Sequence, residues 1–570
     1  MLHQSAGSGL RWLLLVWVVW LSACASLPDH VDRPVSTALA NPAQTRLGSV
    51  IADRAKQAGT RNDSGFALVG SAELAFTSRM TLIKAAEKTL DIQYYAIFSD
   101  KTTERLFDAL REAAARGVRI RILLDDFNTS GKNAQVLKLA FERNIELRLF
   151  NPLPGGRGSL AFRIITNLHD VGRMQRRMHN KIFVADNALA ITGGRNLGET
   201  YFGQSPGTNF VDIDVLAAGR IARDLSRSFD QYWNNPLAYP VQSLMTAEEI
   251  DALKPIPSKG LLGDPGDPAN AAAAESAAGT AAAESLIPTP LTTAPIGAAD
   301  STTSAIAPPP DSTNLRLLKW TWAPSTLLVD KPGKIAADAD STEAAEDTTV
   351  DGLLQLMAQA KTSVLIVSPY FVPGARTMGQ FADLRQRGIR VRVLTNSLAS
   401  NDAPAAHVGY ARYREALLKM GVEIFEMRAE QVGTFRSFGS AAISAGSIGG
   451  STGGDASPDG SSRASLHSKV VVIDDRLLVV GSMNLDLRSQ LQNSEVAVAI
   501  RNRAISAEAI RLIEPTMATG AYRVELDGDQ LVWRGPQGSN LKDSSSEPDT
   551  SVMLRLVLKL LGPFAPEEML

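Results

Sequence analysis

Two stretches of this chain carry the same reactive side chains at the same spacing. The first holds His179, Lys181, Asp186, Gly193, Gly194 and Asn196, and the second holds His467, Lys469, Asp474, Gly481, Ser482 and Asn484. Each reads H-x-K-x4-D, with a glycine seven residues after the aspartate and an asparagine three residues beyond that glycine. The chain has six histidines, and in such a chain one H-x-K-x4-D arises by chance on the order of 0.01 times. Two copies with matching downstream residues are therefore not coincidence. A histidine can attack as a neutral nucleophile or donate a proton as a general acid. Lysine ammonium and asparagine amide groups supply charge and N–H donors to an anionic centre. On a strand, alternate residues share a face, so a histidine and a lysine two apart point the same way. The apolar residues after each lysine bury that strand, and the aspartate marks its turn. The next strand ends in Gly-Gly or Gly-Ser, where backbone can come close to a ligand.

The elements that hold these motifs recur too. Residues 82–86 have a helical pattern and 89–97 read as a buried strand. Residues 105–116 are helical up to Gly117, a residue type that ends helices, and 118–124 (VRIRILL) alternate as a strand. In the second half, 353–360 read as helix, 363–370 as strand, 381–387 as helix ending at Gly388, and 389–394 as strand. The run from Arg116 to Leu123 matches Arg387 to Leu394 at an offset of 271 residues. Alternating helices and strands predict an α/β fold of two fused lobes, each a mostly parallel sheet flanked by helices.

Composition bounds the rest. Hydrophobic residues make up 44% and charged residues 21% of the chain, an ordinary globular balance. Lys plus Arg number 58 against 60 Asp plus Glu, so there is no broad basic field and no nucleic-acid partner is expected. Cys24 is the one cysteine, which excludes an intramolecular disulfide framework and a cysteine-built zinc site. It follows an apolar run of about 10–12 residues, too short for the roughly 20 that span a bilayer and suited to a secretory signal. Leu21-Ser22-Ala23-Cys24 resembles a bacterial lipobox, with Cys24 the lipidation site. Ala25 follows where an Asp would retain the protein at the inner membrane. By resemblance to Gram-negative sorting rules, this places the body at the outer membrane facing the periplasm. The resulting organisation is a signal and lipobox over 1–24, a tether over 25–65 and a first lobe over 66–250. A low-complexity linker over 251–313 leads to a second lobe over 314–540, loosened by insertions at 336–349 and 439–464, and to a tail helix within 541–570. In that tail Arg555 and Lys559 share one helical face among apolar residues, suiting either core packing or a membrane interface.

The paired motifs resemble those of the phospholipase D superfamily over about residues 75–490, inserted linkers aside, and no motif position is missing. Residues 82–86, 91–95 and 328–332 and the closing Leu-rich helix look most like the bacterial cardiolipin synthase C group. The resemblance implies one active site at a pseudo-twofold interface, with His179, Lys181, Asp186, His467, Lys469 and Asp474 catalytic. It implies further that Asn196, Asn484, Gly194, Ser482, Glu495 and Asp214 face the substrate. Glu495 would orient the histidine of the opposite copy, and its first-copy counterpart is Asp212 or Asp214. His179 would be the nucleophile and His467 the acid and base; the residues themselves leave the reverse order open. No metal or cofactor is needed, because the lysines hold the charge. The implied substrates are phospholipids at a membrane surface, phosphatidylglycerol and also phosphatidylethanolamine. The implied reaction is phosphatidyl transfer, with hydrolysis to phosphatidic acid as the alternative and nuclease activity behind both. Outside the motifs, His169 reads as a loop residue. His407 lies beyond a strand end, where ligand loops gather. The Tyr94-Tyr95 and Tyr370-Phe371 pairs read as core.

Overall fold

The structure, a computed structural model, describes residues 26–60, 62–252, 318–336, 347–432, 461–536 and 538–561. The expected signal and Cys24, and most of the linker and of the two insertions, lie outside them. In chain order the strands are β1 (Ser64–Val69), β2 (Thr89–Tyr94), β3 (Arg119–Asp125), β4 (Ile145–Phe150), β5 (Ile182–Ala185), β6 (Leu189–Gly193), β7 (Asn209–Val211), β8 (Asp214–Ala218), β9 (Ala238–Pro240) and β10 (Thr321–Ala323). Then come β11 (Ser325–Val329), β12 (Ser363–Val367), β13 (Arg390–Asn396), β14 (Glu423–Met427), β15 (Glu430–Val432), β16 (Ser461–Leu466), β17 (Val470–Ile473), β18 (Leu477–Gly481), β19 (Val496–Arg501), β20 (Ala521–Asp527) and β21 (Gln530–Arg534).

Among the described residues the first lobe is a sheet ordered β10-β1-β8-β6-β5-β2-β3-β4-β9, and the second a sheet ordered β11-β19-β18-β17-β12-β13-β14-β20-β21. Both lobes are α/β, as the repeat predicts, but the sheets are mixed and not mostly parallel. Only β2-β3-β4 and β12-β13-β14 pair in parallel within them. Those are the strands joined by helical crossovers, which parallel pairing requires. Each motif strand instead turns back at once: β5 pairs antiparallel with β6, and β17 with β18. Helix–strand alternation revealed the crossovers and concealed the hairpins.

Strand periodicity explains how the lobes join. In β17, Val471 and Ile473 pack under the second lobe's helices, while Val470 and Val472 enter a core shared between lobes. That shared core sets Phe66, Leu68, Val215 and Ala217 against Leu365, Val367, Val480 and Val498. Both faces of the motif strands are therefore buried, which is why they read as continuous apolar runs.

The expected tether is largely built into the first lobe. Arg46–Gln57 is a helix capped by Thr45. Upstream of it, Arg148 donates to Pro34 O at 2.6 Å, Arg121 to Ser36 O at 2.9 Å, and Ala38 N to Asp230 at 2.9 Å. Buried arginines at strand positions needed carbonyl partners, and this segment supplies them. The last residues of the expected 439–464 insertion belong to β16, which leads into His467. The tail helix spans Val552–Leu561 and leaves Val552, Met553, Leu556 and Leu560 exposed. Among the described residues no helix is long and apolar enough to cross a membrane.

Candidate active site

His179 lies just ahead of β5. Met178 bridges Ser494 of the second lobe, and the His179 backbone N–H donates to Ser494 O at 2.9 Å. The next residue there is Glu495, whose two carboxylate oxygens each stand 3.0 Å from His179 Nδ1. Ser489 Oγ donates to Glu495 at 2.9 Å, and Ser482 Oγ donates to its other oxygen. Full burial pushes the Glu495 carboxyl up, but His179, Lys181 and the Ser482 hydroxyl more than reverse this and hold it below the ordinary value.

The second copy is built the same way with the lobes exchanged. His467 follows β16, which pairs in parallel with β7 of the first lobe. The His467 backbone N–H donates to Val211 O at 2.9 Å, and the next residue, Asp212, places Oδ2 2.9 Å from His467 Nδ1. Burial dominates at Asp212 and lifts it to about 6, opposed by Arg195, Lys469 and Lys181. Each histidine thus presents Nδ1 to a carboxylate of the other lobe, which orients the ring, and Lys469 Nζ stands 3.3 Å from His467 Nε2. Each motif lysine folds back onto its own histidine: Lys181 Nζ to His179 O at 2.9 Å, and Lys469 Nζ to His467 O at 2.6 Å. Lys181 acts electrostatically on both carboxylates, so the two halves share one field.

The carboxylate opposite His467 is Asp212 and not Asp214. Asp214 is buried against Arg79 at 2.9 Å and Arg195 at 3.4 Å. Strand register explains the choice. Gly193 pairs with Asp214 and Gly481 with Ala497, so Glu495 corresponds to the residue two before Asp214. That register sets Asp212-Ile213-Asp214-Val215 opposite Glu495-Val496-Ala497-Val498, an alignment the unequal spacing from the motif asparagines conceals in the sequence.

Other expected site residues act at one remove. Asp186 accepts from the backbone N–H groups of Glu87, Lys88 and Thr89 at 2.8–2.9 Å, and Asp474 from those of Lys361, Thr362 and Ser363 at 2.7–3.2 Å. Both sit at the far end of the motif strand, in turns where Asp186-Asn187 and Asp474-Asp475 have φ of 50–53°. Such turns match the twist of a hairpin. Neither aspartate reaches the histidines; they fix the hairpin that follows. Gly194 is needed for room, since a Cβ there would lie 2.5 Å from Asp212 Oδ2. Ser482 holds Glu495. Asn196 donates to Tyr201 OH at 3.0 Å, whereas Asn484 donates its backbone N–H to Ser489 Oγ at 3.1 Å.

Three aromatic rings complete the walls. Tyr95 meets His179 edge-on at 5.2 Å, and Tyr201 and Phe210 flank His467 at 5.2 and 4.9 Å. The tyrosine pair therefore splits: Tyr95 reaches the site, while Tyr94 OH accepts from buried Arg79. Tyr201 and Phe210 lie in loop and short strand without periodicity, and nothing local marked them. His169 is exposed. His407 is bound to Glu547 and Arg414, away from the histidine pair. Among the described residues no group of three or more His, Cys, Asp or Glu side chains is arranged to hold a metal ion.

The family described as "Cardiolipin synthase, PLD-like domain" matches residues 80–233 and 353–516, one match per lobe. Cardiolipin synthase C of Escherichia coli (strain K12) is 31% identical over 85% of this chain and 92% of its own length. An uncharacterised protein of Helicobacter pylori (strain ATCC 700392 / 26695) is 29% identical over 96% of this chain and 97% of its own. Among solved structures, phosphatidylserine synthase of Haemophilus influenzae Rd KW20 shares the fold, with a TM-score of 0.52, 13% identity, and coverage of 91% of this chain and 99% of that one.

Proposed function

The chain belongs to the phospholipase D-like cardiolipin synthase family, and from that membership we propose that it transfers phosphatidyl groups between glycerophospholipids through a phosphohistidine. The observation that carries this reading is the crosswise pairing of His179 with Glu495 and of His467 with Asp212. His179 Nε2 attacks phosphorus and the P–O bond to the leaving alcohol breaks. His467 gives that alkoxide its proton. An incoming alcohol then returns a proton to His467 and attacks phosphorus as the P–N bond breaks. Glu495, held ionised, stabilises the positive charge that His179 acquires on phosphorylation, which favours His179 as nucleophile. Lys181 and Lys469 offset the anionic phosphodiester.

Lipid attachment at Cys24 and a place at the outer membrane, facing the periplasm, belong to the same proposal, because they would hold the enzyme beside its substrate. The test supplies purified full-length protein with labelled phosphatidylglycerol, with and without phosphatidylethanolamine, and identifies products by mass. Cardiolipin is expected. Phosphatidic acid alone would replace transfer with hydrolysis, and an unchanged lipid pool would refute the proposal.

A further inference from the structure

Glu495 is itself held from behind by two charged residues that belong to neither motif. Asp330 follows β11 and continues its pairing with β19. The Asp330 backbone N–H donates to Glu495 O at 3.0 Å, and the Glu495 N–H donates to Asp330 Oδ2 at 2.9 Å. Lys334, four residues on, pairs with the same Oδ2 at 2.7 Å and donates to Ser489 O at 2.8 Å. The Ser489 hydroxyl in turn holds Glu495 Oε1 at 2.9 Å. The Thr349 N–H donates to Asp330 Oδ1, and the hydroxyl of the first lobe's Tyr232 to Asp330 O, each at 2.7 Å. Backbone and carboxylate of Glu495 thus both lead back to one buried ion pair. The first copy is built without this segment. There β1 ends at Val69, and Ser71 already caps the helix Ala72–Ala85. In the second copy residues 330–348 intervene before Thr348 caps the corresponding helix Thr349–Ala358. At Asp212, the partner of His467, the backbone carbonyl accepts from Arg195 instead.

Resting on the phosphohistidine reading above, we infer that Asp330 and Lys334 are positioning residues for His179, acting through Glu495 and Ser489. A buried ion pair adds little stability over apolar packing, so this one is accounted for by what it touches. Asp330 fixes the backbone from which the Glu495 side chain reaches His179. Lys334 fixes the far side of that carboxylate through Ser489. Lys334 also cancels the charge of Asp330, which would otherwise stand beside Glu495 as a second buried anion. The other ionisable groups that face Glu495 are His179, Lys181, Asp486 and Tyr232. Of these the two cations belong to the motif, and neither neutralises Asp330.

The test follows the first turnover of the full-length protein, held in excess over phosphatidyl-p-nitrophenol in detergent micelles. Samples are quenched into alkali and nitrophenolate is measured across about pH 5 to 8. The rate constant does not depend on how much of the protein is folded. The leaving group needs no acid, so the rate reports on His179 and Glu495. Lys334→Met is expected to lower the rate constant about tenfold at neutral pH. It is also expected to raise the acid limb by about one pH unit, because two facing carboxylates then hold a proton between them. Asp330→Asn combined with Lys334→Met removes both charges and avoids a lone buried anion. That double variant is expected to return the limb to the wild-type pH and to keep a rate constant about tenfold low. A merely structural pair would change the folded fraction and move neither quantity. A wild-type rate constant in the double variant therefore overturns the inference while leaving the phosphohistidine reading intact. Absence of nitrophenolate release by the wild type overturns that reading, and the inference with it.

Discussion

The two halves of the site are copies in plan and differ in electrostatics. Around His179 the carboxylate is a glutamate with two serine hydroxyls on it, and it stays ionised. Around His467 the carboxylate is a shorter aspartate with Ile213 N–H as its backbone donor, lifted by burial to about 6. The mechanical supports differ too: a single bridge at Met178 in one half, a three-pair ladder between β16 and β7 in the other. Duplication supplied two equal histidines. The neighbours then set a carboxylate held below its ordinary value beside one and a carboxylate lifted by burial to about 6 beside the other.

Removing the histidines tests the comparison most severely. His179→Ala and His467→Ala should each lower phosphatidyl transfer by about 10²–10⁴ or more. Nitrophenolate is a good leaving group and needs no acid, so with phosphatidyl-p-nitrophenol the first turnover should survive in His467→Ala and not in His179→Ala. Burst measurements that show the opposite pattern would exchange the two roles.

The carboxylates come next. Glu495→Gln should cost about 10² in kcat, since His179 loses its ionised partner, and Asp212→Asn roughly tenfold. Equal losses in steady-state assays would mean that the halves are electrostatically alike.

A smaller effect follows from pH. Asp212, raised to about 6, takes up a proton as pH falls through 6, whereas Glu495, held below its ordinary value, keeps its charge. The wild-type rate should therefore fall on an acid limb near pH 6, and Asp212→Asn should flatten that limb. By linkage Asp212 opposes folding once pH exceeds its raised value, and Glu495 favours folding until pH falls to its lowered one. Melting at pH 7 should accordingly show Glu495→Gln destabilised and Asp212→Asn not.

The least effect on chemistry is expected at the motif aspartates. Asp186→Ala orphans three backbone donors at a fully buried site and should cost about 1–3 kcal/mol. Asp474, half-buried, should cost less. Denaturant titration checks both, and activity per folded molecule should stay within about threefold.

What the sequence revealed was whatever depends on local spacing. The motif histidines and lysines, the helix stops at Gly117 and Gly388, and Glu495 beside an apolar strand could all be read from a few neighbouring residues. Asp212 and Asp214 could not be separated that way, because only the pairing of Gly193 with Asp214 fixes which one faces the other lobe. Phe210 and Tyr201 come to His467 from the opposite lobe, so their role exists only once the lobes meet. Asp186 and Asp474 mislead for the opposite reason: their spacing is as strict as that of the histidines, but what it secures is a turn.

The segment from Thr321 to Val329 has a further consequence. β10 joins the first lobe's sheet and β11 the second's, with Pro324 alone between them. The stretch before it leaves from the helix Ala247–Ala252 and returns to β10, and both belong to the first lobe. Both described ends of this detour in the sequence thus sit on the first lobe, and the chain passes from one sheet to the other at a single residue. A protease nick anywhere in that detour would leave one particle with both lobes in place. Evolution could lengthen, shorten or recompose the detour without altering how the two lobes meet.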